Sequence, residues 1–447
     1  MGSGTTLEYS DVSHIGLRRH KNQDSHAILA PWSREQFRRN GWLFVVADGM
    51  GAHAAGETAS DLAAKTVPAA YQRLASRSPP LALLSSIRQA NDLINQQGDA
   101  SADLRGMGTT CTVLAVLPRG ALVGHVGDSR VYRIRGDTIE QFSRDHSLAW
   151  EVEALQQRGG EPIPPPPKNI ITRSLGPHAR VDIDLEGPFA VEEGDTFVVC
   201  SDGLSGQVAD EEIGLLAGSL PPAQAVESLL GLALVRGAPD NVTIIIARAG
   251  RHEATTSDAG EPAWPLSTEE VDAPPPQPLP IRPLALAAGA LLAALVAASL
   301  NSTEGWDALR RGQWPATLQD GLALSFLGGL SLLFVASLAL AVARLLSGGG
   351  SATLVLPPGK RLGGGPYRSF SCRSSPELVE GIIASLESAA DGFDEAEGEA
   401  FLQKAAAARA AARANDVPAA LAAVHHALSI YRQAVDAARG QQPPNSA

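Results

Sequence analysis

A set of aspartates sits at the ends of apolar runs in the first half of the chain, and carboxylates in that setting can hold hard cations. Leu43–Ala47 runs into Asp48-Gly49-Met50-Gly51, and Phe197–Ser201 runs into Asp202-Gly203. Pro239-Asp240-Asn241 opens the run Val242–Ile246, Asp24 follows Asn22-Gln23, and Asp128 closes His125-Val126-Gly127. Taken singly, each is an ordinary turn, because Asp and Gly are the standard turn formers. Taken together, carboxylates fixed at rigid strand ends can converge on one edge of a sandwich, where divalent cations would offset their repulsion. No His/Cys cluster accompanies them, so an all-oxygen site is expected. Gly49, without a side chain, lets its backbone carbonyl approach a metal. Two ions about 3.5–4 Å apart could share Asp48, hold a bridging water as hydroxide and clamp phosphate oxygens. That is phosphomonoester hydrolysis by direct attack, with no covalent enzyme intermediate. Arg19 is the candidate guanidinium fork for the phosphate.

The elements that must position these residues alternate strand and helix patterns over residues 1–250. Trp42–Ala47, Thr109–Leu117, Ala121–Val126, Arg130–Arg135, Thr196–Cys200 and Asn241–Ala247 read as strands. Glu57–Arg77, Pro80–Asn95, Ser147–Arg158 and Ala223–Val235 have helical spacing. Gly127-Asp128-Ser129 reads as the turn of an antiparallel hairpin between Ala121–Val126 and Arg130–Arg135. The expected class is α+β, an antiparallel β-sandwich flanked by helices in four α-β-β-α layers.

The chain has 447 residues, 44% hydrophobic and 19% charged, with a formal net charge of −12. Its acidity gives no basic field for nucleic acid. Cys111, Cys200 and Cys372 are too few and scattered for a disulfide framework or zinc cage. Beyond the first 250 residues, 251–283 is an acidic, Pro-rich linker. Residues 284–346 are expected to carry two transmembrane helices, 284–300 and 321–343, each free of charge. Trp306 and Trp314 suit the membrane boundary, and Gly321, Ser325 and Gly329 share one face as a possible homodimer contact. A Gly-rich linker, 347–375, precedes a small all-α region, 376–440, whose last part is similar to one tetratricopeptide-type hairpin. Lacking a signal peptide, the catalytic part and the C-terminus are expected on the cytoplasmic side of a bacterial plasma membrane.

The motifs, in order, resemble the PPM, or type 2C, family of Mg/Mn-dependent protein phosphatases. They run Gly16-Leu17-Arg18-Arg19-His20-Lys21-Asn22-Gln23-Asp24, Ala47-Asp48-Gly49-Met50-Gly51 with Ala55-Gly56-Glu57, and Met107-Gly108-Thr109-Thr110. Val126–Arg130, Ser143-Arg144-Asp145-His146-Ser147, Ile171–Gly176, Cys200–Leu204 and Pro239–Thr243 follow, so the resemblance covers about 10–245. It implies that Asp48 bridges two Mn²⁺ or Mg²⁺ ions, with Gly49 on one and Asp202 and Asp240 on the other. It also implies that Asp24 acts through water, that Asp128 with Asp202 holds a third, weaker ion, and that Arg19 binds phosphate. Gln23 stands where many members have Glu, Met50 where animal members have a His, and Ala52 where Gly is common. His53, His125 and His146 are expected to make structural hydrogen bonds, and Pro162–Pro167 to form a stiff loop near the substrate. The expected activity is hydrolysis of phosphoserine and phosphothreonine in proteins, partners of Ser/Thr kinases. The alternatives are an inactive scaffold of the same fold and a phosphatase dedicated to one regulator.

Overall fold

The computed structural model describes residues 7–51, 55–157, 164, 166–167, 170–251, 263–266, 311–312, 355–357, 359–389 and 395–440. The chain forms two units, residues 1–266 with 355–447, and residues 267–354. Of the second, only 311–312 are described.

The first unit opens with β1 (Glu8–His14), β2 (Asp24–Leu29), α1 (Arg34–Asn40) and β3 (Trp42–Met50). The long helices α2 (Ala55–Leu74) and α3 (Pro79–Ala100) follow, then β4 (Gly108–Thr109), β5 (Cys111–Leu117), β6 (Gly120–Val126), β7 (Arg130–Arg135) and β8 (Thr138–Gln141). Next come α4 (Leu148–Gln157), β9 (Asp184–Phe189), β10 (Thr196–Cys200), α5 (Asp202–Ser205), α6 (Asp210–Ser219), α7 (Pro222–Val235) and β11 (Val242–Arg248). A short pair, β12 (Trp264–Pro265) with β13 (Val355–Leu356), precedes β14 (Arg368–Ser371) and helices α8 (Pro376–Ser388), α9 (Glu395–Arg413) and α10 (Val417–Ala438).

These strands form two antiparallel sheets, ordered β1-β11-β10-β7-β8-β14 and β2-β3-β5-β6-β9, with β4 beside β3. Phe44, Val46, Leu114, Val116 and Val123 from one sheet meet Val131, Phe197, Val199 and Ile245 from the other in a shared core. The opposite faces of β3 and β5 (Leu43, Val45, Val113, Ala115) pack under α2 and α3 residues such as Ala63, Tyr71, Leu83 and Ile87. Because both faces are covered, these strands read as continuous apolar runs and not as alternation. On the far side, α6 and α7 cover Tyr132, Val198, Ile244 and Ile246.

The expected hairpin at Gly127-Asp128-Ser129 does not form. β6 pairs with β5 and β9, whereas β7 pairs with β10 and β8, so the three residues cross from one sheet to the other. Gly127 makes the crossing at φ +116, and a Cβ there would lie 2.5 Å from the Thr110 side chain. A left-handed backbone pressed against a neighbour requires glycine.

The expected fold class also needs correction at its membrane part. Among the described residues no helix is long and apolar enough to cross a membrane. The α+β fold of residues 1–250 stands without a transmembrane hairpin. Residues 284–300 and 321–343, and the Gly321, Ser325, Gly329 face with them, lie outside the described residues. Bilayer contact and dimerisation through that face therefore have no support.

The C-terminal helices share the core of the α6–α7 side. Leu421, Val424, Ala427 and Leu428 of α10, and Val379, Ile382, Ile383 and Leu386 of α8, are buried in one cluster with Leu229, Leu230 and Ala233 of α7. A Cβ on Gly231 would lie 2.8 Å from Leu428 Cβ, so the α7–α10 crossing depends on a missing side chain. Around it, Arg432 Nη1 donates to Glu227 Oε1 at 2.9 Å, and Arg236 reaches Ser385 Oγ at 3.1 Å. Asn415, at φ 58, and the N-cap Asp416 punctuate α9 and α10.

Candidate active site

The aspartates meet where strands of both sheets end. Asp24 and Asp48 are direct cross-strand partners on β2 and β3, so register alone holds two carboxylates side by side. Asp202 and Asp240 flank the ends of β10 and β11 on the other sheet, and Asp128 sits on the crossing between the sheets.

Uncharged groups fix this edge. Asp48 N donates to Thr110 Oγ1 at 2.9 Å, while Thr110 N and Thr109 Oγ1 donate to Asp48 O at 2.8 and 2.9 Å. Ser201 Oγ donates to Asp24 Oδ2 at 2.8 Å. Asn241 Oδ1 accepts from Gln23 N at 2.8 Å, and Asn241 Nδ2 donates to Ile15 O and Lys21 O at 2.9 and 3.0 Å. That one amide side chain ties the loop carrying Arg19 to the loop carrying Asp240. A Cβ on Gly49 would lie 2.2 Å from Gly56 O and 2.5 Å from Gln23 O, so any side chain there would displace backbone.

The electrostatics are those of a crowded anionic site. Burial raises the Asp24 carboxyl to about 7, with Asp202 and Asp240 adding to it against hydrogen bonds from Thr243 and Ser201. Burial raises Asp48 well above the ordinary range, helped by Asp24, Asp202, Asp128 and Asp240. Asp128 is raised to about 8, by burial first and then by Asp202 and Asp145. Asp202 is raised by burial and Asp240, against a hydrogen bond from Asp48. Arg19 lies on the rim, its side chain 50% exposed, and Nη2 donates to Asp240 Oδ2 at 2.6 Å.

The donor set suits a hard cation. Asp24 Oδ1, Asp128 Oδ1 and Asp202 Oδ1 are buried and accept no hydrogen bond. Buried polar atoms are normally satisfied, and three bare carboxylate oxygens in one cluster want a positive charge. Among the described residues no three acidic, His or Cys side chains are closed into a finished cage. The carboxylates are near enough to perturb one another.

The family profile of protein phosphatase 2C matches residues 13–230. Protein phosphatase PhpP of Streptococcus pneumoniae is 32% identical over 260 residues, covering 56% of this chain and 100% of PhpP. The chain belongs to the protein phosphatase 2C family. Serine/threonine protein phosphatase PstP of Mycobacterium tuberculosis is 37% identical over 255 residues, 54% of this chain and 45% of that protein. A structure of the PstP catalytic domain in complex with 2 manganese ions shares 36% identity and covers 54% of this chain and 97% of that one, with a TM-score of 0.45.

In this phosphatase His125 and His146 make structural hydrogen bonds. His125 Nδ1 accepts from Thr112 Oγ1 at 2.9 Å and Nε2 donates to Arg144 O at 3.0 Å, which defines a neutral tautomer. Burial, with the adjacent His146, lowers its pKa to about 3. His146 N donates to Gly127 O at 2.7 Å and His146 Nδ1 accepts from Gly127 N at 3.0 Å, a reciprocal pair that pins the Asp128 crossing. His53, Ala52 and half of Pro162–Pro167 lie outside the described residues.

Some residues around the site carry roles that sequence reading did not assign. Arg130 binds Asp145 through Nε and Nη2 at 3.0 and 2.7 Å, and Tyr132 Oη donates to Asp210 at 2.6 Å beside it. Arg173 Nη1 donates to Asp184 Oδ1 at 2.7 Å, and His146 Nε2 donates to Asp184 Oδ2 at 3.0 Å. Arg130, Asp145, His146 and Arg173 fall inside the family motifs, whereas Asp184 sits in a polar strand with no motif to flag it.

Proposed function

We propose that the chain hydrolyses phosphoserine and phosphothreonine in proteins. The centre would hold two divalent cations, Mn²⁺ or Mg²⁺, at Asp24, Asp48, Gly49, Asp202 and Asp240, and a weaker third at Asp128 with Asp202. The observation that carries this reading is the trio of buried, unpaired carboxylate oxygens on Asp24, Asp128 and Asp202. When bound, the cations would neutralise the carboxylates, activate water and stabilise charge on the phosphate oxygens.

The chain's own residues do the rest. Asp48, half-buried and held at its backbone by Thr109 and Thr110, keeps its carboxylate fixed on the site edge. Ser201 and Asn241 orient Asp24 and the two loops on either side. Arg19 rests on Asp240 at the mouth, where it can turn its remaining N–H donors to a phosphate. Met50 offers no titratable proton, so solvent would protonate the leaving alkoxide. The names of PhpP and PstP, both protein phosphatases, support protein substrates.

The test uses the full chain with a phosphothreonine peptide and Mn²⁺. Hydrolysis should stop on chelation and return with added metal, and Asp202→Asn should lower kcat more than about 100-fold. Full activity in chelator would sink the reading, and a wild-type chain inert under every metal would favour the scaffold.

A further inference from the structure

Helix α4 (Leu148–Gln157) borders the site. None of its residues is buried, yet it lies along a cleft of about 270 Å³ lined by Asp128, Asp202, Ser147, Trp150, Glu153 and Arg368. Leu148 N donates to Ile170 O at 2.9 Å, and Thr172 Oγ1 donates to Glu151 Oε1 at 2.9 Å. Both contacts hold its first turn. Further anchors come from the far end of the chain. Arg368 places its guanidinium 3.9 Å over the Trp150 ring and Nη2 donates to Glu153 Oε2. Tyr367 meets Trp150 edge-on at 6.4 Å.

The strand that delivers these two residues is itself firmly seated. β14 extends the first sheet by pairing with β8, Arg368 opposite Gln141. Tyr367 N donates to Gln141 O at 2.9 Å, Gly365 N donates to Glu186 Oε2 at 3.0 Å, and Tyr367 Oη donates to Glu186 Oε1. A cation stacked on an indole and paired with a carboxylate one helical turn away fixes both side chains in place.

We infer that Arg368 is a positioning residue for substrate. It holds α4 as the wall of the cleft beside Asp128 and Asp202, so a segment outside the matched phosphatase region sets how that cleft receives a phosphopeptide. This rests on the phosphatase reading above. A phosphopeptide must lie along the wall, whereas a small aryl phosphate reaches the metal edge without touching it. Losing the stack and ion pair should raise the peptide KM and leave chemistry alone, since uniform binding and not transition-state binding is removed.

The experiment compares full-length wild type, Arg368→Ala, Glu153→Arg and the exchanged pair Glu153→Arg/Arg368→Glu, all with Mn²⁺. Substrates are p-nitrophenyl phosphate and a decameric phosphothreonine peptide, and hydrogen exchange is followed over residues 148–157. Arg368→Ala should raise the peptide KM roughly tenfold, with kcat and p-nitrophenyl phosphate turnover within about twofold of wild type. Exchange in α4 should quicken, and the exchanged pair, which restores the ion pair but not the stack on Trp150, should recover part of the peptide KM. An unchanged peptide KM or unchanged α4 exchange would each overturn the inference. Wild type inert on both substrates would overturn the phosphatase reading instead.

Discussion

His14 Nε2 lies 3.1 Å from Asp436 Oδ1, joining the end of β1 to the end of α10 across 422 residues. His14 Nδ1 accepts from Gly16 N at 2.9 Å, and Arg439 donates to Leu17 O. The last helix thus grips the loop that leads to Arg19.

This contact should make stability depend on pH. Burial lowers the His14 pKa below 6.5, outweighing the hydrogen bond that Nε2 donates to Asp436 and the Asp436 charge, with Arg439 and Arg432 nearby lowering it further. The unfolded chain therefore takes up the proton first, so the stabilisation is complete above pH 6.5 and is lost as pH falls through the folded value. The Tm of the full chain should fall between pH 7.5 and 5.5, and His14→Gln should flatten that part of the curve. Equal slopes for the two proteins would assign the effect elsewhere.

Gly231 gives a prediction of sign. In an exposed helix, Gly→Ala stabilises by about 1 kcal/mol. Here the added Cβ meets Leu428 Cβ at 2.8 Å and Leu428 O at 3.0 Å, so Gly231→Ala should destabilise, by about 1–3 kcal/mol. Urea unfolding of the full chain decides the sign.

The same interface bears on truncation. A fragment ending near residue 250 would expose the α7 face that Leu421, Val424 and Leu428 now cover. It should aggregate or melt well below the full chain, and adding residues 376–440 in trans should raise its Tm. A fragment as stable as the whole would show that the shared core contributes little.

Asp145 is buried beneath the Arg130 fork, with a side chain 8% exposed. Removing Asp145 leaves Arg130 only its longer pair with Asp210 at 3.3 Å and strips Gln141 Nε2 of an acceptor, so Asp145→Ala should cost up to about 3 kcal/mol. Arg130→Met/Asp145→Leu should cost less than the single change, which a double-mutant cycle in urea would report.

Asp48→Ala and Asp128→Ala should separate in calorimetry with Mn²⁺. Asp48 lies in the crowd of four other carboxylates that raise it, so its loss should abolish tight binding and turnover together. Asp128 is set apart on the crossing between sheets, so Asp128→Ala should slow turnover and keep tight binding.

Much of this was legible from residues, for reasons that differ along the chain. Thr196–Cys200 and Pro222–Val235 announce themselves because both faces of one and nearly all of the other are buried. The site aspartates announce themselves by ending such runs. β1 (EYSDVSH) and β9 (DLEGPF) are half-exposed edge strands with no apolar run to betray them. The misread turn at Gly127-Asp128-Ser129 has ordinary hairpin composition, and only the packing of Thr110 under Gly127 distinguishes a sheet-to-sheet crossing. Least legible was the seating of residues 365–371. Nothing local in Tyr367-Arg368-Ser369-Phe370 says that its partner is Thr138–Gln141.

That pairing also orders events during synthesis. The open edge of β8 has no neighbour until β14 leaves the ribosome, and 215 residues separate Glu153 from Arg368. At about 5–20 residues per second, the wait is on the order of 10–40 s. For that interval the nascent protein carries an unpaired strand edge, the feature that invites pairing with a neighbouring chain. A cell making this phosphatase has reason to shield the growing polypeptide until its final third arrives.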